Sequence, residues 1–195
     1  MKLHKTEVPL VSNRTFIALL RGINAGKAKR IPMAELRALL SGLGYKGVAT
    51  LLNSGNVVFR APRGTPAKHA SDIAAAISSQ LKIEVPVIVK SASELAAIVS
   101  ENPIKAEAKD HSRLLVAFVQ EARAVSGLAT IESLVVPPEQ FAMGKKAAYL
   151  LCANGIQKCK AGEALLGMGT KGQSATTRNW ATVVKLQALA NEPDA

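Results

Sequence analysis

The sequence predicts an α+β protein made of two ferredoxin-like (split β-α-β) halves with antiparallel sheets, the second half lacking its last strand. Two observations carry this. Segments with strand and helix periodicity follow one another as β-α-β-β-α-β up to residue 90, and as β-α-β-β-α from residue 113 onward. The chain has 195 residues, 48% hydrophobic and 20% charged, which is enough apolar material for two small packed units. Aromatic residues make up only 4%, so the core must be aliphatic. Residues 1–14 and 191–195 read as tails, 15–90 as the first half, 91–112 as a linking helix and loop, and 113–190 as the second half.

Element by element, residues 15–23 (TFIALLRGI) read as a buried strand. Residues 33–44 place Met33, Leu36, Leu39, Leu40 and Leu43 at helical spacing. Pro32 suits the first helical position, Glu35 the first turn, and Gly42 or Gly44 the stop. VATLL (48–52) and NVVFR (56–60) flank Asn53-Ser54-Gly55, which is hairpin chemistry because Asn and Gly tolerate positive φ. Residues 65–82 form an alanine-rich helix with Ile73, Ala76, Ile77 and Leu81 on its apolar side. EVPVIVK (84–90) is the fourth strand, placed at a sheet edge because Pro86 has no N–H. Residues 91–103 begin with a serine cap, Ser91 or Ser93, and end at Pro103. Beyond them, 113–120 reads as a strand, 121–132 as a helix, 139–144 and 146–152 as strands, and 179–190 as a helix.

The formal charge of +11 is unevenly placed: +9 over residues 1–63, −2 over 64–144 and +4 over 145–195. A basic surface implies an anionic partner, although solubility alone also sustains such a surplus. No apolar run approaches the roughly 20 residues that span a bilayer. The opening MKLHKTEVPLVSNR lacks the apolar core of an export signal, so the cytoplasm is the expected location and no membrane partner is expected. Cys152 and Cys159 fit no structural zinc spacing; reduced, packed thiols are expected, with no metal and no other cofactor.

Three polar stretches stand out. In LLRGINAGKAKRIPM (19–33), strand, glycine loop and helix succeed each other as in a nucleotide-triphosphate loop. That loop requires G-x-x-x-x-G-K-[ST]; here only three residues separate Gly22 from Gly26, and Ala28 offers no hydroxyl to magnesium. What remains is a basic turn, with Arg21, Lys27, Lys29 and Arg30 beside glycine N–H groups that favour an anion. A merely solvated turn accounts for the same residues. In NSGNVVF (53–59), Asn53, Ser54 and Asn56 either bond their own turn or face a ligand. In SATTRNW (174–180), Thr177 or Asn179 caps a helix whose N-terminus, next to Arg178, favours anions. A plain cap, with Trp180 anchored on the core, is the simpler account. If strands one and three are central and antiparallel, residues 21–24 and 53–56 share one rim, and Arg178 is expected to join it as a ligand donor.

LLRGIN followed by MAELRALL, then LLNSGNVVF, then ATTRNWATVVKL, resembles the bacterial domain-of-unknown-function family 1697 over residues 16–189. AGKAKRIPM and GMGTKGQS depart from the pattern. The resemblance implies a soluble protein with paired ferredoxin-like halves and brings no established activity. It implies Arg21, Gly22, Asn24, Asn53, Ser54, Gly55, Asn56, Thr177, Arg178, Asn179 and Trp180 as signature positions, without a role for any.

Histidines are three, and none lies in these stretches. Glu35 and Glu163 are the only acids in 8–63 and 145–191. Nucleophile-histidine triads, glycosidase carboxylate pairs and carboxylate-held magnesium are therefore poorly served. The candidate ligand-binding set is Arg21, Gly22, Asn24, Lys27, Asn53, Ser54, Gly55, Asn56, Thr177, Arg178 and Asn179. An anionic small molecule, phosphate-bearing or a nucleotide, ranks ahead of RNA or DNA as partner, and ahead of a metal-free transferase reaction on a phosphorylated substrate. Catalytic residues and oligomeric state are not legible here.

Overall fold

The computed structural model describes residues 14–24, 29–168 and 175–192. Lys27, Lys171 and the tails over 1–13 and 193–195 lie outside the described residues. The chain runs β1 (Arg14–Leu20), α1 (Met33–Gly42), β2 (Lys46–Leu51), β3 (Asn56–Ala61), α2 (Pro66–Leu81), β4 (Val87–Ser91) and α3 (Ala92–Glu101). It continues with β5 (Leu114–Val119), a 3-10 segment (Ala122–Leu134), β6 (Gln140–Met143), β7 (Ala147–Leu151), α4 (Lys160–Gly167), β8 (Ala175–Asn179) and α5 (Trp180–Ala190).

Two four-stranded sheets result, ordered β2-β3-β1-β4 and β6-β7-β5-β8, every described pairing antiparallel. The protein is α+β. The expectation of a missing strand in the second half is corrected: Ala175–Asn179, read as loop and cap, pairs with β5 from Leu115↔Asn179 to Val119↔Ala175. Two β-branched threonines suit an extended edge strand, and only its polar composition concealed it. A second correction concerns the helices. The crossover before β8 is α4, whereas α5 follows β8 as α3 follows β4. The expected helix over 121–132 is instead a 3-10 segment. There Ser126, Thr130 and Ser133 each donate a side-chain hydroxyl to the carbonyl three residues back, competing for the acceptors an α-helix needs.

Caps fix where the helices begin. Thr65 accepts from the Lys68 amide, Ser91 and Glu94 form a capping box, and Asn179 accepts from Thr182. Strand alternation then sorts side chains into three clusters. Phe16, Ala18 and Leu20 of β1 pack under α1 and α2. Ile17 and Leu19 share a middle layer with Leu95 and Ile98 of α3, Val183 and Leu186 of α5, and Val116 and Phe118 of β5. Leu115, Ala117 and Val119 face the 3-10 segment and α4. The layers are therefore helices, sheet, helices, sheet, helices, and α5 touches both sheets.

Candidate functional site

Where the end of β1 meets β8, three signature stretches converge. Arg178, on β8, crosses to the first sheet. Its Nε donates to Asn56 Oδ1, and Nη2 donates to the Leu20 carbonyl (2.6 Å) and the Ser54 carbonyl (3.2 Å). Nη1 donates to Thr176 Oγ1 (3.0 Å) and the Thr177 carbonyl (2.8 Å). All five guanidinium N–H groups are engaged, every acceptor is neutral, and the donor expected for a ligand is already spent inside the protein. Desolvation pulls the Arg178 pKa down to about 10, so the group stays charged at neutral pH.

Arg21, one residue past β1, makes the return crossing. Nη1 donates to the Ala175 carbonyl at 2.6 Å and Nη2 to Leu166 at 2.8 Å, a carbonyl left without an intrahelical partner at the end of α4. Burial lowers its pKa too. Neither guanidinium makes an ion pair among the described residues.

Asn56 is fully buried; its Nδ2 donates to the Leu51 carbonyl (3.0 Å) and Ser54 Oγ (2.9 Å), tying the hairpin turn that also presents its Oδ1 to Arg178. Gly55, at φ +76°, sends its carbonyl to the Leu20 amide (2.8 Å). A Cβ there would lie 2.6 Å from Leu20 Cβ, so only glycine allows this approach. Asn24, at φ +55°, pinches the base of the opening loop: Nδ2 donates to Ile31 (2.9 Å) and Asn53 (2.8 Å) carbonyls, and Oδ1 accepts from the Ile31 amide (2.9 Å). Beside it lies a cavity of about 350 Å³ lined by Asn24, Arg30, Ile31, Pro32, Met33 and Asn53. Gly22 is exposed at φ +67° with open space where a Cβ would stand.

Of the sequence-derived residues, Arg21, Asn24, Asn53, Ser54, Gly55, Asn56, Thr177 and Arg178 thus meet at one seam. Asn179, half-buried, caps α5 by accepting from the Thr182 amide, and Lys27 lies outside the described residues. Sequence reasoning missed the carbonyls of Leu20, Leu166 and Ala175, because a main-chain acceptor has no residue type to betray it. No three His, Cys, Asp or Glu side chains group as metal ligands among the described residues. Cys152 and Cys159 are free and buried, and Cys159 Sγ caps α4 by accepting from the Gly162 amide (3.1 Å). No described helix is long and apolar enough to cross a membrane. Both faces of each sheet are covered, and Phe16 and Phe59 are core residues, so neither sheet offers an open face on which bases could stack.

Fold and seam define an α+β protein with two four-stranded antiparallel sheets cross-braced by arginine. The chain belongs to the family described as "Protein of unknown function (DUF1697)", whose model matches residues 14–149. The match stops before β8 and α5. A solved structure, that of the conserved bacterial protein SP0830 from Streptococcus pneumoniae, superposes with a TM-score of 0.76 at 24% identity, covering 92% of this chain and 100% of that one. That likeness speaks to fold alone. No curated protein matches.

Proposed function

We propose that this chain is a cytoplasmic binding protein for a phosphate-bearing small molecule or nucleotide, taken at the lip of the seam. The supporting observation is electrostatic. Two half-buried guanidinium groups, Arg21 and Arg178, share one end of the molecule, and among the described residues no carboxylate is paired to either. The cavity lined by Asn24, Arg30 and Asn53 opens beside the same turn. Arg178 contributes field rather than contacts; the exposed Arg30, which makes no described hydrogen bond, and the amide of Gly22 supply the direct donors. We also read the strand order as two ferredoxin-like halves, 15–90 and 113–190, linked by 91–112.

A thermal-shift screen with nucleotides, sugar phosphates and inorganic phosphate tests this reading. A binder raises the melting temperature, since ligand held only by the folded state stabilises it. Arg30→Ala should remove that rise while leaving the unliganded melting point unchanged. A panel with no stabilising anion, or an Arg30→Ala chain that responds normally, defeats the proposal. Should only polynucleotides bind, with affinity falling steeply as salt rises, the nucleic-acid alternative takes its place.

A further inference from the structure

The two sheets end in four edge strands, β2 and β4 in the first and β6 and β8 in the second. An edge presents a row of unpaired main-chain groups, and three of these edges are blunted. On β4, Gln120 takes both groups of Val89, its Nε2 donating to the carbonyl (3.2 Å) and its Oε1 accepting from the amide (2.9 Å). On β8, Arg21 and Arg178 donate to the Ala175 and Thr177 carbonyls. On β2, the register slips between Lys46 and Ala49, and Gly47 stands at φ +55°, an irregularity that breaks the outer row.

β6 carries no such device among the described residues. Its pairing with β7 is regular from Gln140↔Leu151 to Met143↔Ala148, and it holds neither a proline nor a charged residue. Gly144 donates to the Ala147 carbonyl across the turn (2.8 Å). Alternation then turns the N–H and C=O of Ala142 towards β7 and those of Phe141 and Met143 outward. No hydrogen bond among the described residues reaches these outward groups. Leu134, Val136 and Met143, on the strand and just before it, are exposed large apolar side chains.

We propose that β6 is the pairing edge for a second copy of this chain, joining two four-stranded sheets into one across a two-fold axis at Ala142. In this register Phe141 of each copy faces Met143 of the other, and their outward amides and carbonyls bond reciprocally. The same register sets the exposed Lys145 of one copy opposite the half-buried Glu139 of the other. Glu139 keeps Oε2 on the Val136 amide (3.2 Å) and meets the Cys159 thiol, and a carboxylate has acceptor positions to spare. The neighbouring registers that also pair outward groups set Glu139 against Met143 or Lys145 against Phe141. Charge complementarity thus selects one register, and it is the self-complementary one. The proposed anion lip involves β8, at the opposite edge of the same sheet, so this pairing is independent of that reading.

Sedimentation velocity of the full chain, from about 1 µM to about 500 µM, tests the proposal, with a monomer–dimer equilibrium of Kd about 100 µM or tighter expected. Met143→Lys, at an exposed position, should keep the melting temperature and hold the chain monomeric, because a lysine on an edge opposes strand addition. Cross-linking reads the register. Under a mild disulfide oxidant, Ala142→Cys should form a covalent dimer across the axis, and Gln140→Cys, distant from its own copy, should not. Cys152 and Cys159 are buried and should stay out of the reaction. A chain that is monomeric throughout, a Met143→Lys chain that dimerises as the wild type does, or equal cross-linking at positions 140 and 142 overturns the proposal.

Discussion

Lys90 and Arg178 occupy the same place in the two sheets. Each precedes the residue that caps the helix after its edge strand, and each lies opposite a middle residue of the central strand, Ile17 for Lys90 and Val116 for Arg178. Each crosses to the end of the other sheet's central strand: Lys90 Nζ donates to the Gln120 carbonyl at 2.8 Å, as Arg178 does to Leu20. The residues just past the central strands return the crossing. Gln120 pairs both its amide atoms with Val89 on the edge of β4, and Arg21 grips Ala175 on β8. The difference lies in charge. Lys90, 2% exposed and held below its usual pKa by burial, has Glu94 at 4.0 Å and feels Glu121 as well. Arg178 has no acid partner among the described residues, and its counterpart to Gln120 is a second cation. Where Asn56 stands opposite Leu19, the matching position opposite Phe118 holds Ala147. One architecture thus produces a crossing with a nearby carboxylate and one without.

The sharpest way to break this comparison is Arg178→Met. It strands the Asn56, Leu20 and Ser54 oxygens and should cost about 3 kcal/mol in urea denaturation. A loss below about 1 kcal/mol would show that the seam does not rest on this group. Lys90→Met should cost about 1 kcal/mol or less, because it forfeits one hydrogen bond while removing the burden of burying an ammonium. Equal losses at the two sites would erase the distinction drawn above.

A pH-dependent effect separates both crossings from the first core. His69 has a lowered folded pKa, so below its unfolded value of about 6.5 the unfolded chain takes a proton that the folded chain refuses. Stability should therefore fall as pH drops from 7 towards 5, by at most about 1.4 kcal/mol per pH unit from this group. His69→Gln should flatten that part of the profile, and Arg178→Met should retain it. Matching slopes in the wild type and His69→Gln would remove the assignment.

Much of the first sheet was legible from residues 15–90 because its signals are local. A short apolar run marked β1, period and proline, acidic and glycine signals marked α1, alanine-rich periodicity marked α2, and Asn53-Ser54-Gly55 marked the turn before β3. The second sheet was harder for equally local reasons. The strand 175–179 is polar, and 121–132 has apolar spacing that its hydroxyls divert into a tighter helix. The convergence of the three signature stretches followed from the topology. Their use did not: the sequence cast Arg178 as a ligand donor, and the folded chain gives all its N–H groups to neutral oxygens. His69 drew no notice because a single histidine among alanines and isoleucines looks like packing.

By itself the sequence determined the α+β class, the aliphatic core, most element positions and the basic surplus, since each depends on composition or on spacing over a few residues. Tertiary structure alone decided which charges go uncompensated and which donors are spent. Arg178 finds Asn56 122 residues away and Leu20 158 residues away, and Arg21 finds Ala175 at a separation of 154. Hydrogen bonds over such distances, most of them to main-chain carbonyls, leave no pattern along the chain. They exist only once both sheets are folded and pressed against α3 and α5.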